Sequence, residues 1–296
     1  MPSVTGSQQQ HKMETTMNVL SLFDGMSCGQ IALNNLGIKV DNYFASEIDK
    51  YAVKVSKKNY PNTKHVGDVT KVYSEDLPQI DLLIGGSPCQ SFSSVGGGEG
   101  FDGSSGLFFE WVRLLRECKP KYFLLENVTM KKEWEQIITD EVGVEPVLIN
   151  SKHFTGQNRK RLYWTNIPIA EIDDRKVDGI FKGNEYWSEI QPTPFVLKKH
   201  SMMEEVSEFT NPYNKSNLTD TFPNLTAQGN SQTKSSSVIR IKDDEYFMAN
   251  LQYWSELQGV DKKYFDGFTE SQGKKMLGNG WTVPVIEHIF SGLKTI

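Results

Sequence analysis

Ile80 to Gly103 reads IDLLIGGSPCQSFSSVGGGEGFDG, and the fold turns on this stretch. Its first five residues, Ile80-Asp81-Leu82-Leu83-Ile84, are a short apolar run of the kind that fills a buried strand in a parallel sheet. Gly85 and Gly86 stop the strand, and Ser87-Pro88 turns the chain. Cys89 then falls at the carboxyl end of that strand, where open α/β sheets bind their ligands. Six glycines follow between Gly96 and Gly106, too many for a core segment. A cysteine on a strand-end turn, followed by a glycine-rich loop able to close over it, suggests a nucleophile with a lid. Taken alone, the same residue also fits a small buried hydrophobe.

Toward the N-terminus the pattern repeats. Asn18 to Phe23 reads as a strand, Asp24-Gly25-Met26-Ser27-Cys28-Gly29 as a turn, and Gln30 to Leu36 as a helix capped at Gly37. The turn does not match G-x-G-x-x-G, so a dinucleotide is disfavoured. Tyr43 to Ser46 is a second strand with Glu47 at its end, suited to accept from ribose hydroxyls. Glu47 also fits an ordinary carboxylate at the start of a helix over Tyr51 to Lys58. His65 to Val69 is expected as a third strand, with Asp68 able to accept from an adenine amino group. Phe23/Gly25, Glu47 and Asp68 thereby converge on one sheet edge.

Toward the C-terminus, Leu107 to Cys118 is an amphipathic helix with Phe108, Trp111, Val112 and Leu115 on one face. Tyr122 to Leu125 is a fifth strand, closed by Glu126-Asn127-Val128. A glutamate directly after a buried strand is costly to ionise unless solvated or paired, which suits an acid meeting a ring nitrogen. Val147 to Asn150 is a sixth strand. Thr155 to Arg161 leads into a seventh, Leu162 to Thr165. Arg159 and Arg161 are read as active-site residues expected to point to opposite faces of an extended segment, one at the target and the other supporting the site or a phosphate. From Asn166 to about Ser216, prolines and polar residues interrupt any period. Ser237 to Ile241 alternates like a strand. Phe247 to Leu257 is expected as a helix, and Met276 to Pro284 opens a last one over Val285 to Leu293.

Pro88-Cys89-Gln90, Glu126-Asn127-Val128, Gln157-x-Arg159-x-Arg161, Leu218 to Ala227 (LTDTFPNLTA) and Gly278-Asn279 occur in the order seen in the DNA cytosine-5 methyltransferases. The chain resembles that family from about Val19 to Leu293. Trp281 with the following Val-Pro-Val-Ile is similar to the animal de novo enzymes. The resemblance implies a Rossmann-like α/β fold with a mostly parallel seven-stranded sheet, helices on both faces, and a small target-recognition region. It implies S-adenosyl-L-methionine held by Phe23, Asp24, Gly25, Met26, Ser27, Glu47, Ile48, Asp68, Val69, Pro88, Leu107, Asn279, Gly280 and Trp281. It implies catalysis by Cys89 as nucleophile with Glu126, Arg159 and Arg161, and DNA contacts from Gln90, Ser91, Val95, Asn127 and Thr226. Val95, six positions after the cysteine, is the expected wedge for the space left by a flipped base. The implied organisation is a tail over 1–16, a catalytic and cofactor body over 17–165, a recognition region over 166–217, and a return to the body over 218–296. The expected partner is double-stranded DNA, with a homodimer through the Phe108/Phe109 helix as a further implication. The short recognition region suggests a free-standing bacterial or phage modification enzyme of the restriction-modification kind. A tRNA cytosine-5 methyltransferase of the same fold, or a non-catalytic DNA-binding relative, are the alternatives.

Composition sets the outer bounds. At 296 residues, 38% hydrophobic and 23% charged, the chain can bury a large α/β core. No apolar run approaches the ~18 residues of a membrane span. The first sixteen residues lack the apolar centre of a secretory signal and read as a polar tail or an added extension before Met17. Three cysteines without a C-x-x-C fit a reducing, cytoplasmic setting and no structural metal. The net charge of −5 argues mildly against nucleic acid. A local basic face can override it, and Lys152, His153, Arg159, Lys160 and Arg161 supply one candidate, Lys198-Lys199-His200 another.

Overall fold

A computed structural model describes residues 16–88, 104–228 and 231–294. The main body is a seven-stranded sheet made of β1 (Met17–Leu22), β2 (Val40–Ser46), β3 (Lys64–His65), β4 (Leu82–Gly86), β5 (Tyr122–Val128), β6 (Val147–Asn150) and β8 (Lys160–Thr165). Their spatial order is β3-β2-β1-β4-β5-β8-β6. Five neighbours run parallel from β3 to β5, and β8 enters antiparallel between β5 and β6. The central strands are apolar on both faces because both faces are covered. Leu20, Leu22, Leu83 and Leu125 pack with Phe108, Trp111 and Leu114 of α3 (Phe108–Cys118). Val19, Leu82, Ile84 and Leu124 belong to the second core cluster with Ile31 of α1 (Cys28–Asn35) and Val285 and Ile289 of α8 (Val283–Phe290). The stripe expected on α3 is therefore core. Phe108 is fully buried, and of the Phe108/Phe109 pair only Phe109 reaches solvent.

Strand order reverses at β1, whose neighbours are β2 on one side and β4 on the other. At such a switch point the carboxyl ends of diverging strands leave a crevice. Gly25, Glu47 and Gly86 all follow or end strands at this edge. Gly85 is required by packing, since a Cβ there would stand 2.9 Å from both the Leu22 carbonyl and the Trp111 ring.

A smaller antiparallel sheet combines β9 (Trp187–Ile190), β10 (Phe209–Asn211), β11 (Ser216–Asn217), β13 (Ile239–Lys242) and β14 (Glu245–Ala249), in the order β11-β10-β13-β14-β9. It takes in strands on both sides of Asn217, so its secondary structure continues past the boundary drawn there from composition. A two-stranded parallel pair, β7 (Gln157–Asn158) with β12 (Phe222–Pro223), ties this region to the approach to β8. The remaining helices are α2 (Lys50–Asn59), α4 (Lys132–Val142), α5 (Pro194–His200), α6 (Leu251–Gln258) and α7 (Glu270–Asn279).

Two expected elements are corrected. The third strand stops at His65, because Gly67 adopts φ +76° and Asp68 caps a 3-10 turn over Val69–Lys71 instead of extending the strand. The helix expected over Phe247 to Leu257 begins only at Leu251. Tyr246 to Ala249 pair with β9, and the Asn250 side chain accepts from the Tyr253 N–H as an N-cap. No helix among the described residues is long and apolar enough to cross a membrane. No group of three or more His, Cys, Asp or Glu among them could hold a metal ion.

Candidate active site

The first half of the site is assembled at the ends of β1 and β2. Phe23 and Gly25 adopt φ of 55° and 58°, and Ser27 φ of 64°, so the turn folds tightly back toward the sheet. Its Gly25 N–H donates to Glu47 Oε2 at 2.7 Å. Glu47 Oε1 accepts from the Ile48 and Asp49 N–H groups at 2.8 and 2.7 Å. A carboxylate offers about four acceptor positions, so roughly one remains for a ligand hydroxyl. Ile48, beside it, is 78% exposed.

The side chains of the turn point inward. Asp24 Oδ1 accepts from Tyr43 Oη at 2.8 Å, and its other oxygen accepts from Ser27 Oγ. Burial pushes the Asp24 carboxyl up to about 6 against the lowering effect of hydrogen bonds from Ser21, Ser27 and Tyr43. Met26 is buried, and its carbonyl accepts from Tyr264 Oη at 2.7 Å. Asp24, Met26 and Ser27 thus have their side chains in the protein, and what they offer the crevice is backbone. Asp68 Oδ1 accepts from the Thr70 N–H and hydroxyl at 3.0 and 2.9 Å, which hold its carboxyl below the usual range. Val69 is buried beneath it, while Leu107 and Pro88 are half-buried.

The second half lies at the end of β5. Val128 faces Arg161 across the antiparallel pair with β8, so Arg161 is the diagonal neighbour of Glu126 on the same face. Arg161 Nε meets Glu126 Oε1 at 2.9 Å, both side chains being about nine-tenths buried. The Trp281 indole N–H donates to Glu126 Oε2 at 3.0 Å. The expected demand that Glu126 be paired is met from two sides. Asn127 is buried, with its amide donating to Ser87 Oγ at 3.1 Å and its oxygen accepting from the Val128 N–H at 2.8 Å. It therefore braces the Ser87-Pro88 turn that leads to Cys89.

Arg159 plays a different part from Arg161. Residues two apart in a regular strand share a face. These two diverge because β7 ends at Asn158 and β8 starts at Lys160, with Arg159 at the break and its N–H on Asn150 Oδ1 at 3.0 Å. Its guanidinium reaches Asn224 Oδ1 at 2.8 Å, the Leu225 carbonyl at 2.9 Å and the Gly280 carbonyl at 2.9 Å. Around it is a buried polar network that sequence reasoning missed. Gln157 accepts from the Leu225 N–H and donates to Gln258 Oε1, Gln258 donates to the Leu277 carbonyl, and Thr282 donates to Gln258 Oε1 while accepting from Ser151. Thr226 follows Leu225 and is half-buried; its backbone lies so near Gly278 that a Cβ there would sit 2.4 Å from the Thr226 carbonyl carbon. Asn279 is exposed and Gly280 half-buried on the same segment.

Cys89, Gln90, Ser91, Val95 and the Gly96–Gly103 part of the loop lie outside the described residues. The other two cysteines do not suit a nucleophile. Cys28 is buried, which pushes its thiol up to about 12, and burial also raises Cys118.

The strand order, with one antiparallel strand next to the edge and a switch point at β1, is that of a methyltransferase fold. The Entamoeba histolytica methyltransferase EhMeth superposes with a TM-score of 0.73 at 16% identity, covering 95% of this chain and 98% of that one. The Dnmt2 methyltransferase of S. pombe gives 0.68 at 17% identity, covering 94% and 99%. A family model for C-5 cytosine-specific DNA methylases matches residues 17–249, and the chain belongs to that family. Orphan methyltransferase M.SPRI of Bacillus phage SPR is 42% identical over 161 residues, 50% of this chain and 37% of that protein. Orphan methyltransferase M.Rho11sI of Bacillus phage rho11s is 41% identical over 203 residues, 62% of this chain and 40% of that protein. These matches span about two fifths of the relatives' length.

Proposed function

We propose that the chain methylates carbon 5 of cytosine in double-stranded DNA, using S-adenosyl-L-methionine. The observation that carries this reading is the convergence of Glu126, Arg161 and Trp281 directly beyond Gly86, three residues before Cys89. Family membership supports it.

The crevice fits the cofactor by the chemistry of its donors and acceptors. Glu47 keeps an acceptor position beside exposed Ile48, and the Phe23–Ser27 turn offers backbone at close range. Glu47 would take a ribose hydroxyl, Ile48 the adenine face, Asp68 the adenine amino group, and the turn with Asn279 and Gly280 the amino-acid end. When bound, the cofactor supplies an electrophilic methyl group.

The remaining work falls to the chain. Carbon 5 of cytosine is a weak nucleophile, and addition of the Cys89 thiolate at carbon 6 turns the ring into an enamine. Glu126 would share a proton with N3, donating to the ring nitrogen as negative charge builds there on thiolate addition, and Arg161 holds the carboxyl in place. After carbon 5 is methylated, loss of its proton to a base allows Cys89 to leave by elimination. The target must first be turned out of the duplex, at a cost of a few kcal/mol, with Val95 filling the gap and Gln90, Ser91 and Thr226 against the DNA. Arg159 and Asn127 serve as positioning residues. Incubation with methyl-labelled cofactor and either duplex DNA or tRNA tests the reading. Label in DNA alone is expected; label in tRNA alone, or in neither, contradicts it.

A further inference from the structure

We propose that Trp281 is a positioning residue for Glu126, fixing the orientation of the carboxylate that meets the target base; the inference rests on the reading of Glu126 given above. Two donors approach that carboxylate on different oxygens. Arg161 Nε is 2.9 Å from Oε1, and the Trp281 indole nitrogen is 3.0 Å from Oε2. A donor on each oxygen sets both the position and the plane of the group, whereas a single donor leaves it free to rotate. Each oxygen keeps a second lone-pair position, which can carry the proton shared with ring N3 or accept from the exocyclic amino group without breaking either contact. The indole N–H is a neutral donor that cannot accept, so it adds direction without a second positive charge.

The surroundings are shaped for this contact. A Cβ on Gly86 would stand 2.9 Å from Glu126 Oε2 and 3.0 Å from Trp281 Nε1, so only glycine leaves room for the pair at the end of β4. The far side of the ring lies against α1, where a Cβ on Gly29 would be 3.6 Å from Trp281 Cζ3. One side chain thereby touches both the helix after the cofactor turn and the carboxylate assigned to the base. Its backbone is anchored on either side. The Gly280 carbonyl accepts from Arg159 Nη2 at 2.9 Å and from Gln258 Nε2 at 3.3 Å, and Thr282 Oγ1 donates to Gln258 Oε1 at 2.7 Å. The indole is held from behind by a buried network and aimed forward at one oxygen.

Trp281→Phe keeps the ring and deletes the donor. In single-turnover methyl transfer to duplex DNA, this variant is expected to be about tenfold slower, since small misplacements of reacting groups are costly. Its melting temperature is expected to stay close to that of wild type, because the ring still packs on α1. Placed on a Glu126→Ala background, the same substitution is expected to change the residual rate by less than about twofold. The Trp281 indole ¹⁵N resonance, identified by its loss in Trp281→Phe, is expected to move in Glu126→Ala. An unchanged rate in Trp281→Phe, an equal penalty on both backgrounds, or an indole resonance indifferent to Glu126→Ala overturns the proposal. A wild-type protein that transfers no methyl group overturns the reading of the site, and the resonance then decides the contact by itself.

Discussion

The two halves of the site are built on different principles. At the ends of β1 and β2, the Gly25 turn, Glu47 and Ile48 each sit within a few residues of the strand that positions them, and their bonds are short-range or one unit apart. The brace behind Glu126 is the reverse. Arg159 bonds to residues 65 and 121 positions away, and Ser151 to one 131 positions away. The strand-end half needs only a parallel sheet to exist. The brace exists only when the C-terminal segment has returned, so the carboxylate meant for the base is held by one group from the middle of the chain and one from its C-terminal part.

That contrast predicts an ordered set of effects. Arg159→Met is expected to be the most damaging, because several buried acceptors lose a charged donor together. A loss on the order of 3–5 kcal/mol in urea unfolding is expected, with activity falling in step. A loss below 1 kcal/mol would mean that the brace does not hold the C-terminal segment. Glu126→Gln is expected to leave folding largely intact while lowering the single-turnover rate roughly 10²–10³-fold, the size of effect seen when one charge-stabilising group is removed from an active site. A rate unchanged by this substitution would remove Glu126 from the chemistry.

Asp24 offers a pH test within the strand-end half. Burial raises its carboxyl to about 6, so folding favours the protonated form. Its contribution is fully present below about pH 4 and is lost as pH rises through about 6. The stability of wild type relative to Asp24→Asn is expected to fall by on the order of 2–3 kcal/mol between pH 4 and pH 7. A difference that stays constant over this range would place the carboxyl in a more solvated setting. The smallest effect is expected at Ile48. Because it is 78% exposed, Ile48→Ser should change stability by less than about 0.5 kcal/mol while weakening cofactor binding roughly tenfold. Unchanged cofactor affinity would leave the exposed isoleucine without a ligand to cover.

The sheet is legible because buried parallel strands are short apolar runs ended by glycine or a carboxylate, a mark that β1, β2, β4 and β5 carry, while β6 and antiparallel β8 show the apolar run alone. β3 is shorter than its sequence suggests, because His65-Val66 reads as extended chain whereas φ +76° at Gly67 ends it. α6 begins later than its sequence suggests, because Phe247 and Ala249 fit either period and only the Asn250 cap separates strand from helix. Glu126, Arg161 and Trp281 were legible as residues. Their mutual contacts were not, since a hydrogen bond across 155 positions leaves no local pattern. Gln157 and Gln258 gave no signal at all, because a buried glutamine looks like a surface one until its partners are known.

Bisulfite sequencing of plasmid DNA from cells making the wild-type chain or Cys89→Ser tests the central claim most directly. The account predicts conversion-resistant cytosines in a fixed sequence context with the wild type and none with Cys89→Ser. Equal protection in both, or no protected cytosine with the wild type, would contradict it.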